Sequence, residues 1–322
     1  MAHRSPKDLA GIVLKPEAGM EGTLERKLNL GAVVIISLSA MLGSGLFVLP
    51  ALAMLQMGGG DQPVGGVWLA YLVAAVIVLP AAISKSELAT AMPTSGGSYV
   101  YVQRTFGPMF GTISGLGLWA NFMLKSAFAL IGFKAYLWVI EDIVGINIDI
   151  EIAALVLLAL IVGINILGVK RIKKVQTPIV LISVTYLLVL CAYALATVDM
   201  NWDNVFSREA FGSDWEAVAS TAAFVFVSYA GVTKIAAIGG EIKDPSRNIP
   251  NGILLSLLIS ATLYVVVTLI MAASIDPALF MDANHAGHAR EDPVFLFADG
   301  VGGKEIGIIA ALLSVLTMTS MS

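Results

Sequence analysis

The stretch Met41-Leu42-Gly43-Ser44-Gly45-Leu46-Phe47-Val48-Leu49-Pro50 puts two glycines, a serine and a proline in the middle of an apolar run from Leu28 to Leu55. Glycine costs about 1 kcal/mol relative to alanine inside a helix. Broken backbone at membrane depth survives only where it is buried in protein or lines a cavity. The signal returns at Phe226-Val227-Ser228-Tyr229-Ala230-Gly231-Val232-Thr233, where Gly231 stands beside polar side chains in a second apolar run. Paired interruptions in corresponding positions of two halves point to an inverted-repeat transporter with its binding site at the bilayer midplane. Unwinding frees N–H groups at the start of one half-helix and carbonyls at the end of the other, so the pair can receive a carboxylate and an ammonium or cation. The competing explanation for Gly43, Gly45 and Gly231 is close helix packing through small residues.

Working outward, the 322 residues are 57% hydrophobic and 13% charged, with a mean hydropathy of +0.86. Soluble domains are about 45–50% apolar with about a quarter charged, so the composition excludes an ordinary soluble domain. The lone Cys191 excludes an intrachain disulfide framework, and a formal charge of -4 offers no case for nucleic acid. Crossing a bilayer takes about 20 apolar residues. About eight such spans occur: Leu28 to Leu55, Val67 to Ser84, Pro108 to Ile140, Ile152 to Leu167, Val175 to Thr197, Trp215 to Gly239, Pro250 to Ala273 and Ile306 to Ser322. The first is preceded by a polar segment and is too long for a cleavable signal peptide.

Basic loops stay on the cytoplasmic side. Arg4, Lys7, Lys15, Arg26 and Lys27 precede span one, and Lys85, Arg104, Lys170, Arg171, Lys173, Lys174, Lys243 and Arg247 occupy alternate loops on that side. The opposite loops hold only Arg208, Arg290 and Lys304 among many acids. The N-terminus is therefore predicted cytoplasmic, in a multi-pass protein of the cell membrane.

Three collinear motifs, "GSGLFVLP" (Gly43 to Pro50), "SELATAMPTSGGSYVYVQRTFGPMFG" (Ser86 to Gly111) and "SYAGVTKIAAIGGEIKDPSRNIP" (Ser228 to Pro250), resemble the amino acid permeases of the amino acid-polyamine-organocation superfamily. The basic stretch "NILGVKRIKKVQ" (Asn165 to Gln176) looks like that family's loop between helices four and five. The resemblance implies an all-α integral membrane protein with a leucine-transporter-like inverted five-helix repeat. It divides the chain into a tail (1–27), a first repeat (28–197), an extracellular loop (198–214) and a partial second repeat (215–322). The sequence stops at Ser322 inside the eighth span, so the expectation is a chain truncated within the second repeat.

Carried over position by position, the resemblance implies that the amides of Ser44 and Gly45, with Gly43 permitting the break, receive a substrate carboxylate. The carbonyls of Met41, Val227 and Ala230 would receive its amino group. Leu118, Asn121, Phe122 and Ser126 share one helical stripe on the implied pocket face, and Tyr229, Gly231 and Thr233 complete the pocket. For Asn121 and Ser126 an interhelical hydrogen bond is an equal alternative. No Asp or Glu lies deep within a span. A buried cation needs a partner, so a neutral amino acid is expected.

Coupling by sodium or a proton is expected, with no cofactor. The ion site implied by the resemblance uses the carbonyls of Ser39 and Leu42 with hydroxyls of Thr319 and Ser320, oxygen ligands suited to a hard ion. Ser183 stands where some proton-coupled relatives place a lysine. Intramembrane lysines are functional candidates by default. Lys125 and Lys234 are therefore alternative titrating groups, with pairing to helix-end carbonyls as the plainer explanation, whereas Lys134 near a span end snorkels. Glu87, Arg104, Lys243 and Arg247 are candidates for ion pairs closing an inner gate, or for topology-setting charge alone. His285 and His288 share a loop, no P-loop is present, and no arrangement expected of an intramembrane hydrolase occurs, so no enzyme, metal centre or ATP-driven pump is expected. Two classes remain. One is a secondary active amino acid transporter; the other is a non-transporting sensor or binding protein, or an inactive partial permease.

Overall fold

Apolar runs of spanning length become helices because a backbone in hydrocarbon must satisfy its own hydrogen bonds. The computed structural model describes residues 26–144, 152–153, 155–156, 158–159, 162–163, 169–212, 214–281 and 288–321. Most of the N-terminal tail, half of the fourth span, and His285 lie outside the described residues.

Span one is two helices, α1 (Leu30–Phe47) and α2 (Leu49–Met57). α1 starts at Asn29, whose side chain accepts from Ala32 N at 3.1 Å. This satisfies one of the N–H groups left without an intrahelical partner. α3 (Val67–Ala91) is span two, and α4 (Ser98–Phe106) lies between Gly97 and Gly107. α5 (Pro108–Val144) is span three and α6 (Val169–Thr197) span five. After the short α7 (Asp203–Phe206), span six is α8 (Trp215–Val225), a 3₁₀ segment (Phe226–Gly231) and α9 (Val232–Ala237). α10 (Pro245–Ser274) is span seven, α11 (Pro293–Gly302) precedes the last span, and α12 (Lys304–Met321) is span eight. Several helices outrun the apolar windows read from sequence: α3 by two turns, α6 through its basic start. Polar residues continue a helix once its backbone bonds are running. α11 was not foreseen, being too short to cross a bilayer.

Among the described residues, five helical segments are long and apolar enough to span a membrane: Leu30–Phe47, Val67–Ala91, Gln176–Thr197, Trp215–Ala237 and Pro245–Ser274. They differ in where they sit. The α1 window is 78% buried and that of α6 33%, so α1 is the axis and α6 the rim. α1 packs against α10, α12, α6 and the 3₁₀ segment, and α3 packs against α10 and α8. Outward-facing Val76, Ile77, Leu181, Val189, Leu258 and Trp119 leave an apolar surface of the kind that lipid covers.

Both ends are tied by hydrogen bonds, most of them between backbone groups. At one, Gly66 N donates to Ala210 O at 2.8 Å, Asn201 N to Ala273 O at 2.8 Å, and Trp68 Nε1 to Val205 O at 3.0 Å. These bonds fold the segment after α6 across α3 and α10. At the other, Lys27 N and Leu28 N donate to Glu241 O at 2.9 and 3.0 Å, Lys243 N to Leu28 O at 2.9 Å, and Gly96 N to Ala237 O at 3.1 Å. The start of span one is thereby joined to the end of span six, and the α3–α4 loop to α9. Near α11, Arg290 grips the buried Asp292 through Nε and Nη2 at 2.9 and 2.7 Å.

Candidate functional site

The two interrupted spans cross each other. α1 departs from helical geometry at Gly43 (φ -48°, ψ -116°) and resumes through Phe47. The break is therefore one residue wide, at Gly43. Ser44 and Gly45 form the first turn of the second half-helix, where N–H groups lack intrahelical partners. In span six the chain tightens into a 3₁₀ helix over Phe226–Gly231, shifting its hydrogen bonds from i+4 to i+3 rather than releasing them.

Glycine is required at the crossing for space. A Cβ on Gly231 would lie 2.5 Å from Met41 Cγ and 2.9 Å from both Met41 N and Ala40 C. A Cβ on Gly45 would lie 2.8 Å from the Tyr264 hydroxyl and 2.9 Å from Ser228 Cβ. Close packing and interruption therefore coexist at these two positions.

Four buried tyrosines grip the crossing. The Tyr264 hydroxyl donates to Met41 O at 2.6 Å and lies 3.3 Å from Ser228 O, so it sits between the two interrupted spans. Tyr71 donates to Gly45 O at 3.0 Å, Tyr229 to Tyr71 O at 2.9 Å, and Tyr136 to Phe47 O at 2.6 Å. The Tyr264 ring lies 5.1 Å from that of Tyr71 and 5.2 Å, edge on, from that of Tyr229. The buried Ser228 Oγ has no hydrogen-bond partner among the described residues.

Of the expected pocket residues, Met41, Gly43, Ser44, Gly45, Tyr229 and Gly231 are buried together at the crossing, and Ala230 is half-buried. Val227 is exposed on the outer side of the 3₁₀ segment. On α5, Leu118, Asn121, Phe122 and Ser126 are all half-buried. α5 meets α1 further along, where a Cβ on Gly132 would lie 2.8 Å from Val48 Cγ2 and where Tyr136 reaches Phe47 O. At about 1.5 Å per residue, Asn121 lies some four turns before Tyr136. The side chains of Thr233, Lys125 and Ser320 lie outside the described residues. Tyr71, Tyr136 and Tyr264 were missed by sequence reasoning. Their signal was a phenol inside an apolar span, which needs a hydrogen-bond partner when buried.

The expected ion site has mixed geometry. Ser39 Oγ donates to Ile36 O at 2.8 Å and Thr319 Oγ1 to Val315 O at 2.8 Å, each within its own helix. Leu42 is buried beside the kink. Ser183 Oγ on α6 lies 2.7 Å from Thr317 Oγ1 on α12. Two helices that both pack on α1 are thus joined by hydroxyls. Lys234 is half-buried in α9. Glu87, Arg104, Lys243 and Arg247 are all exposed, and no ion pair joins them among the described residues. That end is held instead by the main-chain pairing of Leu28 with Ile242. On neighbouring α4, burial pushes the Tyr101 phenol up to about 12, so it stays neutral at ordinary pH. No group of three or more His, Cys, Asp or Glu able to hold a metal occurs among the described residues.

An all-helical bundle with two broken helices crossing at its core defines a transporter fold. Residues 32–321 match the amino acid permease family, and the chain belongs to that family. It is similar to the branched-chain amino acid permease BcaP of Bacillus subtilis, 28% identical over 94% of this chain, and spans 64% of that relative's length. Among solved structures it resembles MhsT in complex with L-phenylalanine at a TM-score of 0.69 and 14% identity, covering 92% of this chain and 71% of MhsT. It also resembles MHP1, a nucleobase-cation-symport-1 family transporter with bromovinylhydantoin bound, at a TM-score of 0.57 and 15% identity, covering 96% of this chain and 66% of that one. The fold is of the leucine-transporter type, and the chain is a multi-pass membrane protein.

Proposed function

We propose that the protein carries a neutral amino acid across the cell membrane by ion-coupled alternating access, binding it where α1 crosses the 3₁₀ segment of span six. The observation that carries this reading is the crossing itself. Backbone of the two interrupted helices meets at Gly231 and Met41 with no room for a side chain, in a chain of the amino acid permease family. The start of the second half of α1, at Ser44 and Gly45, favours a carboxylate, because helix N-termini carry partial positive charge. Carbonyls of Met41, Val227 and Ala230 receive the amino group. A neutral side chain is supported by the absence of Asp and Glu from Leu30–Phe47 and Phe226–Ala237, and by similarity to a permease named for branched-chain amino acids.

The N-terminal end faces the cytoplasm in this reading, because the basic loops gather there. Residues 28–197 form the first repeat and 215–322 belong to the second. Spans one, two, six and seven rock against spans three to five. The coupling ion is sodium at Ser39, Leu42, Thr319 and Ser320, or a proton. Glu87, Arg104, Lys243 and Arg247 pair when the inner gate closes.

Counterflow of labelled neutral amino acids in proteoliposomes, with sodium and pH varied independently, tests the reading. Saturable exchange abolished by Gly45→Val is the expected result. Binding without exchange would show a sensor, and no saturable signal for any neutral amino acid would sink the assignment.

A further inference from the structure

We propose that Tyr264 sets how tightly the amino group is held, because its hydroxyl and the amino group share the acceptor Met41 O at the helix crossing. The proposal rests on the substrate reading above and deepens it. Tyr264 donates its single hydroxyl hydrogen to Met41 O at 2.6 Å, with Ser228 O at 3.3 Å on its other side. Met41 O belongs to the acceptor set assigned to the amino group, and Ser228 O lies in the same 3₁₀ turn as Val227.

The phenol is built into this place. Tyr264 is fully buried, its ring is held between Tyr71 and Tyr229 at 5.1 and 5.2 Å, and only a glycine at position 45 leaves room for its oxygen. An ammonium brings three donors and a charge, and charge-assisted bonds are roughly twice as strong as neutral ones. It therefore takes Met41 O from the phenol, and the bond broken subtracts from its affinity. The displaced hydroxyl keeps Ser228 O, 3.3 Å away, as its acceptor. Tyr264 is a positioning residue in this account. Binding exchanges one donor for another, and the same phenol re-links the two spans when the amino group leaves.

Tyr264→Phe removes the competing donor and keeps the ring. L-Leucine binding to the folded protein in nanodiscs is expected to tighten about three- to tenfold, the worth of one neutral hydrogen bond. Isocaproate, the same carbon skeleton without the amino group, is expected to compete equally well against wild type and variant, because it does not use those carbonyls. Tyr186→Phe, which removes a phenol from Ile306 O between α6 and α12, away from the crossing, leaves L-leucine affinity unchanged. In the wild-type protein, L-leucine perturbs the tyrosine ultraviolet difference spectrum, and Tyr264→Phe removes that perturbation. Unchanged or weaker L-leucine binding in Tyr264→Phe overturns the proposal, as does a wild-type spectrum that L-leucine leaves unaltered. Failure of the wild-type protein to bind L-leucine or any other neutral amino acid overturns the substrate reading beneath it.

Discussion

The two interruptions that meet in this bundle are built differently. In α1 the helix breaks at the single residue Gly43 and is buried on all sides, with Met41, Leu42, Leu46 and Phe47 at 0–1% exposure. In span six the chain tightens over six residues, and one side of the tightened segment, Phe226 and Val227, remains open. A one-residue kink in a buried axis holds its geometry because every neighbour would have to move with it. A 3₁₀ segment at an open edge keeps poorer hydrogen bonds and fewer constraints. The difference assigns α1 the fixed half of the crossing and span six the adjustable half. Tyrosine hydroxyls follow the same division: Met41 O, Gly45 O and Phe47 O of α1 each accept one, whereas Ser228 O shares the longer arm of Tyr264.

This contrast can be broken most severely at Gly231. Gly231→Ala drives a methyl group into Met41 N and Ala40 C, atoms of the buried axis that cannot step aside. Transport is expected to be lost and stability to fall by about 1–3 kcal/mol, the usual cost of overpacking, as read by thermal unfolding in detergent. Retained transport would mean that span six moves freely past α1. A smaller effect is expected at the outer half of the axis. Tyr136→Phe removes the donor to Phe47 O and should cost about 1 kcal/mol, lowering thermal stability while leaving substrate affinity within about twofold. Ser183→Ala probes the hydroxyl link from α6 to α12 on the same scale, about 1 kcal/mol. A changed sodium or pH dependence of counterflow there would place the coupling ion near that pair, and an unchanged one would leave the link structural. The smallest effect belongs to the open edge: Val227→Ala should shift stability by no more than about 0.5 kcal/mol, as exposed substitutions do. A loss comparable to Gly231→Ala would show that the edge is covered in the working protein.

Much of the site was legible in the sequence because its rule is local. A glycine-rich interruption inside an apolar run contradicts a plain membrane helix wherever the chain runs next, so Gly43, Gly45 and Gly231 announced themselves. Tyr71, Tyr136 and Tyr264 did not, since a tyrosine in an apolar span can as well sit at an interface, and only its neighbours say which carbonyl it reaches. The stripe Leu118, Asn121, Phe122 and Ser126 was found by spacing, but spacing carries no information about height along α1. The structure places the described contact of α5 with α1 at Gly132 and Tyr136. Exposed charges were legible as side markers and illegible as partners: Glu87 and Lys243 reveal which end they occupy, not what they touch.

The sequence by itself determined that this is a multi-span helical membrane protein with two interrupted spans, because hydropathy and backbone propensity act over neighbouring residues, and its collinear motifs carried the resemblance to the amino acid permease family. Only the tertiary structure decided how the interruptions are shaped, which carbonyls are already held by phenols, and which helix is the axis. Those outcomes depend on contacts between residues as far apart as Met41 and Tyr264, and no local rule fixes the distance between them.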